Sequence, residues 1–393
     1  MILTPSHFLN FLVLTFLLFT SACATSTAST ASPAASRPEK KGTELAIPST
    51  TTEIKLEFLG KLEWPASQMF KKTSIGGLSG AAYNPDTQSW VVVSDDRGRK
   101  QEPRFYELKI TAEPFKAEPL KVHFLHKKGQ TRWQPNVLDC ESITLLPWAN
   151  YLISSEGDLN RKPRLGPSLL DVKLDGTVAR TFDLPEIMLP EPSGVQTKGI
   201  QNNMGPEGLT SSDDHRFLWV AIEGPLVQER QAAPDTIRIV QYEMPEAWII
   251  KPTTQFLYEL DGRREGELIS VRGVSEIFWV RDQVLWVMER GLEVNLQGLN
   301  HDVRIYEVDL AAGHHEVLKK KLILDASKVQ KKLPNFEVMV GGPPLADGRK
   351  TLVLISDNNF QKSESTQFWL FARNEKVIEK ETDKGTEKVG AKQ

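Results

Sequence analysis

The chain has 393 residues, 40% hydrophobic and 25% charged, which is ordinary for a globular protein. Its 48 basic and 51 acidic residues leave a formal net charge of -3, so global charge recruits neither a nucleic acid nor an anionic membrane surface. The length admits one large domain or two average ones.

The first element is expected to lie outside the fold. Residues 8–19 (FLNFLVLTFLLF) form an apolar run of about 12 residues, too short for a comfortable membrane span and suited to a signal-peptide core. Thr20-Ser21-Ala22-Cys23 follows, small residues ahead of a cysteine as in a bacterial lipoprotein signal. The expected organisation is a signal peptide over residues 1–22, lipidation of Cys23, and a Ser/Thr/Ala/Pro-rich tether over residues 23–52. Two features depart from the pattern: the first ten residues hold no Lys or Arg, and Thr20 stands where Leu is usual. Soluble export and an uncleaved anchor are the alternatives. The protein is expected in the periplasm or at the outer membrane, touching a membrane through its lipid alone; Ala24 is not the Asp of inner-membrane retention. Cys140 is the other cysteine, which leaves the mature domain without an internal disulfide.

From residue 53 to residue 375 the chain reads as strands. Residues 53–62 (EIKLEFLGKL) form the first, and five units follow, beginning at Ser79, Glu141, Glu207, Glu276 and Glu337. Each unit opens with a short apolar strand, turns at Asn, Pro, Asp or Gly, and continues into a largely apolar run: WVVVS, YLISS, FLWVAI, QVLWVM or TLVLIS. Near-continuous apolar runs suit strands buried on both faces. Third strands lie at 104–110, 168–174, 236–243, 303–310 and 366–372. Fourth strands lie at 120–126, 177–184, 254–260 and 316–324, and the fifth unit lacks one. Pairing residues 53–62 with the last sheet supplies it and closes the ring, which removes exposed edges.

An all-β propeller of five four-stranded blades is therefore predicted. Six blades are the alternative, with short strands inside the insertions at 185–205 and 225–235. A charged tail is expected over residues 376–393.

The first two strands of a blade form a hairpin, so each opener shares one face with the acidic residue that closes the second strand. Ser79, Glu141, Glu207, Glu276 and Glu337 should ring the channel mouth. Asp95, Asp96, Glu156, Glu223, Glu289 and Asp357 should form a second tier. Converging carboxylates repel unless protonated, hydrogen-bonded or bound to a cation. An all-oxygen ring suits Ca²⁺, whose coordination tolerates irregular geometry. Blade-to-blade hydrogen bonding is the competing role for the ring. Zinc is not supported: the chain has no HExxH, and His314-His315 falls in a predicted turn. Basic residues follow the closers, with Arg97 and Arg290 directly after acidic ones. Cations beside carboxylates and a metal are what a phosphate ester needs, although each arginine also has a carboxylate neighbour to pair with. Gly77-Leu78-Ser79-Gly80-Ala81 nearly matches G-x-S-x-G, but it enters a strand instead of a helix.

GGLSGAAYNPDTQSWVVVSDDR (76–97), NMGPEGLTSSDDHRFLWVAIEGPL (203–226), EIFWVRDQVLWVMERG (276–291) and NFEVMVGGPPLADGRKTLVLISDNNF (335–360) resemble the phytase-like esterase family of bacterial exported propellers. Val338 stands where the family pattern has Gly. The resemblance implies hydrolysis of phosphomonoesters or phosphodiesters with Ca²⁺. In that scheme Ser79, Glu141, Glu207, Glu276 and Glu337 bind metal, Asp95, Asp96, Glu156, Glu223 and Glu289 serve as bases or further ligands, and Arg97 and Arg290 hold phosphate. A non-catalytic envelope-binding propeller and a lactonase-like carboxylic ester hydrolase are the alternatives.

Overall fold

Apolar runs separated by turn residues become strands almost throughout. The computed structural model describes residues 50–129, 131–262, 269–295, 298–312 and 316–379, all within one compact unit, Ser49–Gln393. The expected signal peptide, Cys23, most of the tether, His314-His315 and residues 380–393 lie outside the described residues.

Strand β1 (Thr50–Trp64) comes first, followed by a small hairpin of β2 (Met69–Phe70) and β3 (Thr73–Ser74). Blade one is β4 (Leu78–Asn84), β5 (Ser89–Ser94), β6 (Arg104–Ala112) and β7 (Phe115–Phe124). Blade two is β8 (Cys140–Leu145), β9 (Tyr151–Ser155), β10 (Ser168–Val172) and β11 (Val178–Asp183). Blade three is β12 (Pro206–Ser211), β13 (Phe217–Ile222), β14 (Thr236–Glu243) and β15 (Lys251–Glu259). Blade four is β16 (Ile269–Arg281), β17 (Val284–Asn295), β18 (Gly298–Asp309) and β19 (Lys320–Asp325). Blade five is β20 (Asn335–Gly341), β21 (Thr351–Asp357) and β22 (Thr366–Glu379), completed by β1.

The fold is a five-bladed propeller. Residues 185–205 and 225–235 hold one 3-10 turn (Glu186–Met188) and other turns, so no sixth blade forms among the described residues. Among those residues, no helix is long and apolar enough to cross a membrane.

Closure lies where the missing strand predicted it, and it runs further than expected. β1 pairs antiparallel with β22 from Trp64↔Thr366 to Thr50↔Glu379, which extends the sheet beyond both 53 and 375. Aromatic packing fixes this seam. The fully buried Trp369 meets Phe336 edge-on at 4.7 Å and Phe58 of β1 at 5.4 Å. Such pairs add to the area term through the ring quadrupoles. Second strands such as Ser89–Ser94 and Thr351–Asp357 are buried along their whole length, because each is flanked by strands and covered by neighbouring blades. The core lies between the blades, one apolar cluster running through blades two, three and four and three others joining blades four and five, five and one, and one and two.

Truncating the seam should loosen the ring. Trp369→Ala is expected to cost about 3–5 kcal/mol in urea denaturation, the usual cost of removing a buried aromatic side chain; a loss below about 1 kcal/mol would show that the seam does not carry closure.

Candidate functional site

Each innermost strand carries a β-bulge, near its start in blades one, two, three and five and mid-strand in blade four. Register shifts fall between Leu78 and Gly80, Cys140 and Ile143, Pro206 and Gly208, Val274 and Glu276, and Phe336 and Val338. A bulge inserts one residue and re-aims its side chain. The residue after the buried apolar one is Ser79, Glu141, Glu207, Ser275 or Glu337. In blades one, two, three and five the predicted openers thus share one slot. The Ser79 hydroxyl lies 2.8 Å from Glu141 Oε2, to which it donates, and 3.3 Å from Glu337 Oε2.

Blade four departs from the prediction by one residue. Its opener slot holds Ser275, and Glu276 lies in the next layer, level with Gly80, Ser142, Gly208 and Val338. There Glu276 accepts hydrogen bonds from the Ser142 hydroxyl at 3.0 Å and from the amides of Leu209 and Ile277, both at 3.0 Å. It belongs to the channel packing, not to the mouth. A one-residue shift turns a side chain to the other face.

The same slip moves the closer. Leu78, Cys140, Pro206, Val274 and Phe336 pair with Ser94, Ser155, Ile222, Glu289 and Ser356. The next residue in each blade is Asp95, Glu156, Glu223, Arg290 or Asp357. Arg290 therefore occupies the slot expected for Glu289. Glu289 is fully buried elsewhere, accepting from the Tyr258 hydroxyl at 2.6 Å, Lys320 Nζ at 2.6 Å and the Asp261 amide at 2.9 Å. Asp96 is also committed elsewhere. It pairs with buried Arg104 at 2.6 Å and accepts from the Lys100 and Gln101 amides, both at 2.8 Å, so it braces the loop after blade one's second strand.

Asp139 joins the site without having been predicted. It precedes Cys140, and its carbonyl accepts the Glu156 amide at 3.0 Å. The same slot holds Gly77, Gly205, Gly273 and Asn335 in the other blades. A lone carboxylate among glycines was the available sequence signal. These glycines make room for the acidic tier: a Cβ on Gly77, whose φ is +60°, would sit 2.0 Å from Asp95 Oδ1.

The carboxylates crowd together out of water. One ligand atom each from Asp139, Glu141 and Glu156 lie within 4.8 Å of one another, as do those of Glu156, Glu207 and Glu223. Burial raises their pKa values, and repulsion from neighbouring carboxylates adds to it in all but Asp139. Asp139 is pushed up to about 6, with Arg97 opposing; Asp95 to about 7, with Glu337 and Asp139 adding to burial; and Glu156 to about 8, with Asp139 and Glu223 adding. Glu141, Glu207, Glu223 and Asp357 are raised by the same causes, burial first. Glu276 is raised by burial alone.

The residues present fit a hard cation. Glu156 is the member common to both triads. Its Oε1 accepts the Gly205 amide, while Oε2 is buried without any donor; Asp139 Oδ1 and Asp357 Oδ2 are likewise unpartnered. Buried carboxylate oxygens without donors are costly unless protonated or bound to a cation. An all-oxygen set matches Ca²⁺ or Mg²⁺ chemistry and offers zinc no nitrogen or sulfur.

Above these groups opens a mouth of about 410 Å³, lined by Asp95, Asp96, Arg97, Arg99, Lys100, Glu141, Asn203, Glu207, Arg290, Glu337, Asn359 and Phe360. Arg97 bonds Asp139 Oδ2 at 2.6 Å and also Asn203. Arg290 bonds Glu223 Oε1 at 2.7 Å and also Glu337. Both predicted phosphate ligands therefore reach the mouth already paired. Arg99 donates to Asn136 at 2.6 Å, and Lys100 lies over the Phe360 ring at 5.2 Å. Among the described residues, neither pairs with a carboxylate.

The sequence profile described as "Phytase-like: Esterase-like activity of phytase" matches residues 73–360. The chain belongs to this family. No curated protein matches it. Similar solved structures include an endo-arabinase from Bacteroides thetaiotaomicron at 11% identity (82% of this chain, 98% of that one, TM-score 0.39). A gluconolactonase from Xanthomonas campestris is similar at 10% identity (84% and 97%, TM-score 0.35). A glucose dehydrogenase is similar at 10% identity (81% and 98%, TM-score 0.38).

The raised carboxylates set a pH dependence. A group whose pKa is higher folded than unfolded stabilises the fold below its unfolded pKa and loses that contribution as pH rises through the folded value. Metal-free protein should therefore lose melting temperature as pH climbs through about 6 to about 8, the range of Asp139, Asp95 and Glu156. Calorimetric melting in chelator at several pH values tests this; a melting temperature that rises across that window would contradict it.

Proposed function

We propose that this chain is an exported, Ca²⁺-dependent hydrolase of phosphate esters, monoesters or diesters, acting at the acidic mouth of the propeller channel. One observation carries this: Glu156 Oε2, buried and without a donor, is common to two carboxylate triads beneath an open mouth. Asp139, Glu141 and Glu156 would hold an ion, as would Glu156, Glu207 and Glu223. A cation held there polarises a phosphoryl oxygen and acidifies a bound water.

The chain's own groups supply the rest. Arg97 and Arg290 offset the acidic walls, so that an anionic ester meets a partly neutralised site. Arg99 and Lys100 stand at the rim with charge to spare and would draw in and orient the phosphoryl group. Asp95, held at about 7 by burial and then by Glu337 and Asp139, is poised to accept a proton near neutral pH. Membership of the family agrees with an esterase assignment.

The test is Ca²⁺ titration of the metal-stripped protein, following turnover of p-nitrophenyl phosphate and bis(p-nitrophenyl) phosphate. Turnover should appear only with Ca²⁺. Glu156→Gln, which keeps an acceptor for the Gly205 amide, should fold and lose about 100-fold in kcat/KM, the upper end of what perturbing a metal site's surroundings costs. Undiminished turnover in the folded variant would sink the assignment. Lactone cleavage without phosphate turnover would favour the carboxylic ester hydrolase. No turnover with either substrate would favour a binding propeller.

We also propose that residues 1–22 direct export and that Cys23 carries the lipid. Palmitate labelling in a bacterial host should mark the wild type and not Cys23→Ser, which should leave the membrane fraction. Equal labelling of the two would refute the anchor.

A further inference from the structure

Blade four alone carries a positive charge in the closing slot. The opening and closing slots hold Ser79 and Asp95, Glu141 and Glu156, Glu207 and Glu223, Ser275 and Arg290, and Glu337 and Asp357. A guanidinium stands where the other four blades place a carboxylate.

Its surroundings are a set of oxygens. Arg290 donates to Glu223 Oε1 at 2.7 Å, to Asn335 Oδ1 at 3.1 Å and to Glu337 Oε1. These acceptors come from blades three and five, so the guanidinium spans the gap across blade four. Asp357 Oδ2 is buried without a donor, and Asp357 feels both Glu337 and Arg290. Gly273 keeps the near side open, since a Cβ there would lie 2.4 Å from Glu223 Cγ. Carboxylates and an amide oxygen drawn from several elements around one positive centre are the donors a hard divalent ion takes.

We infer that Arg290 is a tethered cation held in a cage of the oxygens of Glu223, Asn335 and Glu337, and that it confines exchangeable divalent ions to the Glu156 side of the channel. Arginine suits this task because its fork satisfies several acceptors and it stays charged at any working pH. A fixed charge cannot leave with chelator or product. One side of the ring is therefore neutralised permanently, and the other is neutralised by whatever ion is present. The inference rests on the ring being a cation site and not on which ester is cleaved.

The test is Ca²⁺ stoichiometry of the full chain by equilibrium dialysis, beside melting temperature with and without Ca²⁺. Arg290→Ala should bind one more ion per chain than wild type, and Ca²⁺ should raise its melting temperature by more. Glu156→Gln, with Arg290 in place, should lose divalent binding, and Glu156→Gln/Arg290→Ala should regain one ion. An Arg290→Ala chain that folds and binds no more ions than wild type overturns the cage, as does full divalent binding by Glu156→Gln. If Arg290→Ala folds only in millimolar Ca²⁺, that rescue supports the cage, and failure of Ca²⁺ to rescue it overturns it. Stoichiometries as expected without phosphate turnover would remove the proposed reaction and leave the cage standing.

Discussion

Repulsion among buried carboxylates is the constraint on which the rest of this site depends. A propeller turns one repeated strand position into a ring, and here that position is mostly acidic. Two unit charges about 5 Å apart at an effective dielectric of about 20 repel by roughly 3 kcal/mol. A few such pairs match the whole stability of an ordinary domain. The fold meets this in three visible ways. Glu156 and, in part, Asp95 hold protons near neutral pH. Neutral donors, the Ser79 hydroxyl and the Gly205 amide, reach single oxygens. Two guanidiniums, Arg97 and Arg290, reach others. Oxygens on Glu156, Asp139 and Asp357 still have no donor. Those buried, unpartnered oxygens are where a cation would sit.

The backbone makes the crowding possible. Bulges at the start of the innermost strands aim one extra side chain per blade at the axis, and glycines beside the closers leave out the Cβ atoms that would block it. Rigid sheets hold the groups. Asp96, paired with buried Arg104 at 2.6 Å, anchors the loop that carries Arg97, Arg99 and Lys100. A residue predicted to act in the chemistry instead positions others that reach the mouth.

Fold and site were unequally legible in the sequence. Blade number and closure could be read because apolar strands recur at a fixed spacing and one strand was missing at one end of the chain. Ser79, Glu141, Glu207 and Glu337 could be read as inward-facing because each follows a buried apolar residue at a strand start. Glu276 and Glu289 misled because an acidic residue stood one position from each true slot, and a bulge decides which of two neighbours faces the channel. Val274, the apolar residue ahead of the bulge, was the correct reference point. Asp139 was missed because it lies before the strand, where the other blades carry mostly glycine. The pairing of Arg97 and Arg290 is a three-dimensional fact, since Arg290 reaches Glu223 and Glu337 in other blades.

Protons on Glu156 and Asp95 hold down the negative charge that a divalent ion would otherwise neutralise. The most direct measurement is calorimetric titration of metal-stripped protein with Ca²⁺ at pH 7, repeated in two buffers of different ionisation enthalpy. Binding should be accompanied by proton release, seen as an enthalpy that changes with the buffer, because ligands must lose protons to bind metal. Binding with no buffer dependence, or no binding at millimolar Ca²⁺, would contradict it.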